Sequence, residues 1–151
     1  MGSLSYSAAA RAELETFLHA HIPLTKLMSL RVEVDEVHGF AIAAPLSANS
    51  NHLGTAFGGS INAVATIAAY SKIWLELHDQ TPREVVVAES SIRFLRPIRE
   101  IIRATCDSLA TSEIESLHAG RARVHIAVTI RDGASSDPAA RFTGAFVATP
   151  P

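Results

Sequence analysis

The sequence predicts an α+β fold in which an antiparallel sheet surrounds one long, buried helix. The first observation is an uncharged stretch: residues 37–71 contain no Asp, Glu, Lys or Arg, and their second half is rich in Ala, Ile and Val. The second is that β-branched and aromatic runs occur in pairs along the chain, without a regular alternation of single strands and helices. This grouping favours an α+β arrangement over a doubly wound parallel sheet. About six strands are predicted.

The N-terminal part predicts one helix followed by a hairpin. Apolar residues recur at helical spacing from Ala10, with Ser7 as the predicted N-cap and Pro23 as the predicted end. Apolar and polar residues then alternate over 30–34, and a second apolar run covers 40–46. Alternation is typical of a strand with one solvent-facing side. The two runs therefore predict the two arms of a hairpin.

The central helix is predicted over 57–78. Its residues are apolar on every side, which is typical of a buried helix. Polar and charged residues, among them Asn62, Lys72 and Glu76, interrupt the run, whereas a membrane span needs about 20 predominantly apolar residues. We therefore predict a core helix covered by the sheet or by a second subunit, and no membrane partner.

Further strands and a short helix follow the central helix. Strands are predicted over 84–96, 99–109, 122–130 and 142–146. Ser112 and Glu115 have the spacing of a capping box, which predicts the start of a short helix, and Gly120 is placed to end it. The run 122–130 alternates most cleanly and predicts a strand with one buried face.

Composition excludes several classes of protein. The 151 residues have the usual length of one domain, and 48% hydrophobic against 19% charged residues excludes a disordered chain. A net charge of −2 gives no basic field for nucleic acid. The single cysteine, Cys106, excludes an intramolecular disulfide and fits a reducing compartment. We expect a cytoplasmic protein with no signal peptide, no metal and no cofactor.

The segment N-H-L-G-T-A-F-G-G-S over 51–60 carries the clearest chemical signal. A polar loop runs into Gly58 and Gly59 at the predicted start of the central helix. Glycine lets a ligand approach the backbone closely, and the free N–H groups of a helix start favour an oxygen carrying negative charge. Acyl transfer needs such an oxyanion site. The alternative interpretation is structural, with the glycines only allowing the helix to pack tightly against strands.

This segment resembles the hotdog-fold thioesterases, in particular the thioesterase domain found at the C-terminus of YiiD-type acetyltransferases. The segments S-S-I-R-F-L-R-P-I (90–98) and G-R-A-R-V-H-I-A-V (120–128) are similar to the third and fifth strands of that family, and the matching features span 14–148. The resemblance implies a helix wrapped by a curved antiparallel sheet, with dimers that pair two sheets edge to edge. It also implies acyl-CoA or acyl-carrier-protein thioesters bound between subunits.

The related phenylacetyl-CoA thioesterases carry the pattern Asn-x-x-Gly-x-x-His-Gly-Gly, with an acidic residue on the following helix. The matching residues here are Asn51, Gly54, Gly58 and Gly59. Phe57 replaces the His, and Thr66 occupies the position of the acid. The carboxylate that would act as base or nucleophile in that branch is therefore absent from the helix.

The candidate catalytic residues are Asn51, His52, Gly58, Thr66 and Glu89. Gly58 would polarise the thioester carbonyl through its N–H group. Imidazole suits a general base at neutral pH, so His52 is either that base or a loop histidine bonded to backbone. Asn51 orients a water or fixes the loop. Thr66 bonds a water or its own helix. Glu89 either approaches a partner's helix start, as the family geometry implies, or simply faces solvent.

The candidate substrate-binding residues are Phe57, Gly59, Ser60 and Arg96. Ser60 lies in the first helical turn, as does Asn62, and the alternative role of both is to satisfy free N–H groups. Arginine suits phosphate, which a coenzyme A arm carries, although a solvated charge on a strand is the other interpretation of Arg96.

The sequence therefore predicts a hydrolase of acyl-CoA or acyl-carrier-protein thioesters, working as a homodimer or tetramer with sites at the subunit interface. The alternative is a non-hydrolytic acyl-CoA-binding module of the same fold, because Thr66 replaces the helix acid. Hydration of an enoyl thioester is a third hypothesis, and it also needs a positioned acid–base group.

Overall fold

A computed structural model describes residues 6–79 and 83–150. The elements, in chain order, are α1 (Ala8–His21), α2 (Pro23–Leu27), β1 (Arg31–Glu33), β2 (Ala41–Pro45), a 3-10 turn (Leu46–Ala48), α3 (Gly58–Glu76), β3 (Glu84–Phe94), β4 (Ile101–Cys106), α4 (Thr111–Ala119), β5 (Ala122–Asp132) and β6 (Pro138–Thr149). The six strands form one antiparallel sheet in the order β1-β2-β4-β5-β6-β3. The sheet curves around α3, which confirms the predicted α+β hotdog class.

The core lies between α3 and the face of the sheet that packs on it, which we call the inner face. Along β5, Val124, Ile126 and Val128 are buried on that face, whereas Arg123 and His125 between them are exposed on the outer face. This confirms the strand predicted from alternation. The pattern arises because successive side chains of a strand point to opposite faces.

A polar cluster inside the fold holds the N-terminal segment against α3. Lys72 is 1% exposed, and its Nζ donates to the Tyr6 hydroxyl over 2.9 Å. That hydroxyl donates in turn to Glu76 Oε1 at 2.9 Å, and Lys72 lies 3.5 Å from the same carboxylate oxygen. Burial beside Glu76 raises the pKa of Tyr6, which keeps the phenol protonated. The buried ammonium is thus paired, as a buried charge must be.

The helix boundaries agree only in part with the sequence predictions. Ser7 caps α1 as predicted, with its Oγ accepting from Ala10 N at 3.0 Å. The predicted end of the first helix is also confirmed, since α1 ends at His21, two residues before Pro23. Pro23 then begins α2, an element not predicted from the sequence, because proline is well suited to the first helical position. The predicted capping box is wrong: α4 begins at Thr111 after an Ala110 N-cap, without a side-chain cap.

The ends of the predicted strands also shift. The strand predicted over 99–109 spans only Ile101–Cys106. Asp132 explains its late start, because its carboxylate accepts the backbone N–H groups of Arg99, Glu100 and Ile101 at 2.8 to 3.1 Å. Within the described residues, no helix is long and apolar enough to cross a membrane.

Candidate active site

The loop before α3 is closed by its own backbone. The N–H group of Phe57 donates to the carbonyl oxygen of Asn49 over 2.8 Å, and Ser50 and Ala56 form a β-bridge inside that pair. Ala56 N–H also donates to the carbonyl oxygen of Ile98 at 2.8 Å. The chain therefore enters α3 at a point fixed to the connection between β3 and β4.

Asn51 organises the tip of this loop. Its Oδ1 accepts from the backbone N–H groups of Leu53 at 2.9 Å and Thr55 at 3.2 Å, and its Nδ2 donates to Thr55 Oγ1 at 2.9 Å. Gly54 takes a φ of +74°, which closes the turn in a region that favours glycine. His52 sits exposed at the tip. The polar atoms of Asn51 are thus engaged in the loop, as in an Asx turn.

The start of α3 leaves backbone donors free. Phe57 is the N-cap, and its side chain offers no acceptor. Ile61 is the first residue whose N–H group bonds back, to the carbonyl oxygen of Phe57 at 3.0 Å. Within 6–79 and 83–150, the N–H groups of Gly58, Gly59 and Ser60 have no acceptor. These groups, together with the helix dipole, attract an oxygen that carries negative charge.

Two aromatic rings pack on the paired glycines. The Phe57 ring lies over Gly59, so a Cβ atom at Gly59 would collide with it, with ring atom Cζ only 3.0 Å away. The Phe94 ring lies beside Gly58, where a Cβ atom would meet its Cζ at an ordinary 3.5 Å. The free donors therefore have an aromatic ring on either side, and each ring replaces part of the water that would screen a developing charge.

One stripe of α3 remains half-buried and leads away from this start. It comprises Gly58, Asn62, Thr66 and Tyr70, each one turn from the next. Thr66 Oγ1 donates to the backbone oxygen of Asn62 at 2.8 Å, so it bonds back to its own helix. Asn62 Oδ1 is buried and has no hydrogen-bond partner within the described residues. Asn62 thus places an unpaired acceptor one helical turn from Gly58.

Glu89 and Arg96 lie away from the helix start. Glu89 is on the outer face of the sheet, opposite α3, where its carboxylate pairs with Arg123 at 3.0 Å. Arg96 follows β3 and pairs with Asp137 at 3.3 Å, both side chains being largely exposed. The structure therefore brings together Phe57, Gly58, Gly59 and Ser60, but it does not bring Glu89 or Arg96 to them within one chain.

Neither a reactive cysteine nor a metal site is found among the described residues. Cys106 is fully buried, and burial raises the pKa of its thiol to about 12, so it is a poor nucleophile. Within residues 6–79 and 83–150, no group of three or more His, Cys, Asp or Glu is arranged to hold a metal ion. The free donors at the start of α3 remain the main chemical feature.

The chain matches a known protein family over most of its length. The family described as "Putative thioesterase (yiiD_Cterm)" matches residues 11–150. The chain belongs to this family. The match covers all the elements from the middle of α1 to β6, and it includes the loop, the paired glycines and the helix start.

Solved structures share the fold of this thioesterase-family chain. A protein of unknown function from Chlorobaculum tepidum is similar at 24% identity with a TM-score of 0.85, covering 99% of each chain. A "putative thioesterase" from Shewanella oneidensis gives 23% identity and a TM-score of 0.87, covering 95% of this chain and all of the other. A thioesterase from Haemophilus influenzae gives 15% and 0.69, covering 99% and 96%.

Sequence reasoning does not single out Asn49, which is buried beside the helix start of this family member. Asn49 stands in a polar loop, next to Ser50 and Asn51, so no contrast in the sequence marks it. Its burial follows only from the fold. For Asn62 the sequence predicts a side chain that satisfies a free N–H group, but its Oδ1 has no partner within the described residues.

Proposed function

We propose that this family member hydrolyses acyl thioesters of coenzyme A or of an acyl carrier protein. The observation that carries the proposal is the trio of free N–H groups at Gly58, Gly59 and Ser60, set between two aromatic rings. The thioester carbonyl oxygen accepts from these groups. Water adds to the carbonyl carbon, the C–S bond then breaks, and a carboxylic acid and a free thiol leave.

The free donors lower the barrier because they stabilise the charge that develops on the carbonyl oxygen during attack. Donors fixed before the reaction need no reorganisation, and loss of one such donor typically costs about 10²–10³ in kcat. The rings of Phe57 and Phe94 lie against the glycines and take the place of part of the surrounding water, which raises the value of each hydrogen bond. Asn51 supports the reaction by holding the loop in shape rather than by touching water.

We assign the general base to His52. It lies on the loop that leads into α3, whereas Glu89, the other titratable candidate, lies on the opposite face of the sheet. Imidazole accepts a proton from water near neutral pH. Thr66 then serves to hold the helix backbone.

The proposed assembly is a homodimer formed through β3. This strand is an edge of the sheet, is 11 residues long and exposes Val86, Val87 and Phe94. A long, apolar, exposed edge promotes aggregation unless it is covered. An antiparallel edge can pair with its own copy about a two-fold axis, which closes the assembly. Because Phe94 packs beside Gly58, the active site would then lie next to the interface.

The test is thiol release from short, medium, long and aromatic acyl-CoAs, followed with a thiol-reactive dye. His52→Ala should lower kcat/KM by about 10²–10⁴, the usual contribution of a general base. His118→Ala, at an exposed histidine on α4, is the matched control and should leave kcat/KM unchanged. Full activity in His52→Ala would show that the base is another group.

The second candidate function is binding of acyl-CoA without hydrolysis. It is favoured by Thr66, which stands where an acid is expected and whose hydroxyl is occupied by the helix backbone. In that case no acyl-CoA releases thiol, while acyl-CoAs still raise the melting temperature, because a ligand that binds only the folded state stabilises it. Thiol release from any acyl-CoA would reject this alternative.

A further inference from the structure

A pocket lies beside the free donors, between α2 and the start of α3. Its volume is about 300 Å³, and its walls include Leu24, Leu27, Met28, Phe57, Ser60 and Ala63. None of the residues that line it carries a charge. Two of its leucines are unusually exposed for their size, Leu24 at 53% and Leu27 at 77%. An apolar recess next to a few polar groups is the usual form of a small-molecule site.

The pocket opens on the atoms that would hold the thioester. Gly59 and Ser60 line it, and both carry free N–H groups. A carbonyl oxygen bound to those groups would therefore direct its substituents along the pocket. Phe57 forms part of the same wall, and its ring is held over Gly59. The carbonyl site and the pocket are thus contiguous.

Asn49 forms a rigid part of the recess wall. The residue lines the pocket and is 3% exposed. Its Nδ2 donates to the carbonyl oxygens of Met28 at 3.0 Å and Pro45 at 2.8 Å, which fixes the orientation of the amide. Its Oδ1 is buried and has no partner within the described residues. A hydrocarbon chain carries no donor for this oxygen, so Asn49 shapes the recess and does not bind its occupant.

We propose that this pocket binds the saturated hydrocarbon chain of the acyl group and so selects medium-length chains. This assignment rests on the proposed thioester function and names its substrate class. A methylene group is comparable in size to a water molecule, which occupies about 30 Å³ of liquid volume. The 300 Å³ recess therefore holds a chain of roughly eight to ten carbons. Each methylene buried should raise the affinity about fourfold until the pocket is full.

The decisive variant is Ala63→Phe, which adds a ring to the pocket from the half-buried face of α3. Ala12→Phe, at an exposed position of α1, is the matched control. For the wild type, kcat/KM should be at least tenfold higher with octanoyl-CoA than with acetyl-CoA. Ala63→Phe should lower the octanoyl value at least tenfold and the acetyl value less than twofold, and Ala12→Phe should change neither. Equal effects on both substrates would overturn the assignment.

A second variant protects the test against misfolding. Leu27→Ala removes an exposed side chain from the pocket wall, so it should fold normally and shift the preference from octanoyl-CoA towards dodecanoyl-CoA. Val37→Ala, at a similarly exposed apolar position in the turn after β1, should not. If Leu27→Ala instead changes the oligomeric state and leaves the chain-length profile intact, the recess is covered by a second copy and the assignment is wrong.

A non-hydrolysable probe separates this assignment from the proposed function. S-octyl-coenzyme A, a thioether, should bind the wild type at least tenfold more tightly than it binds Ala63→Phe, as measured by calorimetry. If that difference in affinity appears while no acyl-CoA releases thiol, the assignment of the pocket to the acyl chain is supported and the hydrolase function is rejected. If thiol is released but Ala63→Phe changes neither the probe affinity nor the chain-length profile, the hydrolase function is supported and the assignment of the pocket is rejected.

Discussion

At the scale of single residues, Gly58 and Gly59 at the start of α3 have different structural roles. Both have helical backbone angles, so alanine is not strained at either position. At Gly58 a methyl group makes ordinary contact with Phe94, whereas at Gly59 it collides with the ring of Phe57. The absence of a side chain at Gly59 therefore gives the Phe57 ring its place. At Gly58 the function requires only the backbone N–H group and enough space for a carbonyl group.

This difference predicts unequal effects of the same substitution. Gly59→Ala should displace the exposed Phe57 ring, admit water to the free donors and lower kcat/KM for octanoyl-CoA at least tenfold. Gly58→Ala should lower it less than threefold, because the backbone donor and its surroundings are kept. Thiol release measures both, with melting temperatures to check folding. Equal losses in the two variants would show that Phe57 has no part in shielding the site.

At the scale of elements, Asp35 joins the turn after β1 to β4. Its carboxylate accepts from the backbone N–H groups of Val37 and His38, and it pairs with Arg103 on β4 at 3.0 Å. Partial burial opposes ionisation, but the hydrogen bonds from His38, Arg103 and Val37 outweigh it and lower the pKa of Asp35 to about 2. The folded state therefore favours the ionised carboxylate.

A lowered pKa makes stability depend on pH in a stated window. The contribution of Asp35 is present above about pH 4 and is lost as the pH falls towards 2, since the proton binds the unfolded chain first. Asp35→Asn should lower Tm by about 2–4 °C at pH 7, the shift for about 1 kcal/mol in a chain of this size, and the difference should shrink below pH 4. Glu36→Gln, its exposed neighbour, is the control. A difference that persists unchanged at pH 2 would contradict this.

How far the sequence predicts each element depends on what fixes it. Strand β5 is predictable because one buried face imposes strict alternation on its own residues. Helix α2 is not, because proline both ends helices and begins them, and five residues are too few for a helical period. The Ser112–Glu115 spacing fails because spacing alone does not say which residue stops being helical.

The candidate site divides in the same way. The free donors follow from paired glycines at the start of an apolar helix, so they are local and visible in the sequence. The pocket is not local: Leu24 and Leu27 line the same recess as Ala63 only after the chain has folded. The orphaned oxygen of Asn49 also depends on where the carbonyl groups of distant residues lie. Contacts between residues far apart in the sequence produce no periodic pattern from which they could be predicted.

At the scale of the whole molecule, the charges on β3 favour one register for the proposed dimer. Glu89, Ser91 and Arg93 share the outer face, and Arg93 lies directly opposite Arg141 of β6, an unfavourable pair of like charges. A two-fold axis through Ser91 would keep outer residues with outer residues. It would also place Glu89 of a second copy beside Arg93, which offsets the repulsion.

This register predicts that Arg93→Glu weakens the dimer without weakening the protomer. The new carboxylate gains a favourable pair with Arg141 inside the chain but faces Glu89 of the second copy. The two-fold axis makes this contact occur twice in the dimer, and each pair of like charges costs up to about 1 kcal/mol. The dissociation constant of the dimer should therefore rise about tenfold. Sedimentation velocity over a dilution series measures it. Arg141→Glu relieves the same repulsion one strand away from the edge and should leave the dimer intact. A wild-type monomer at every concentration, or equal weakening by both variants, would rule out pairing through β3 in this register.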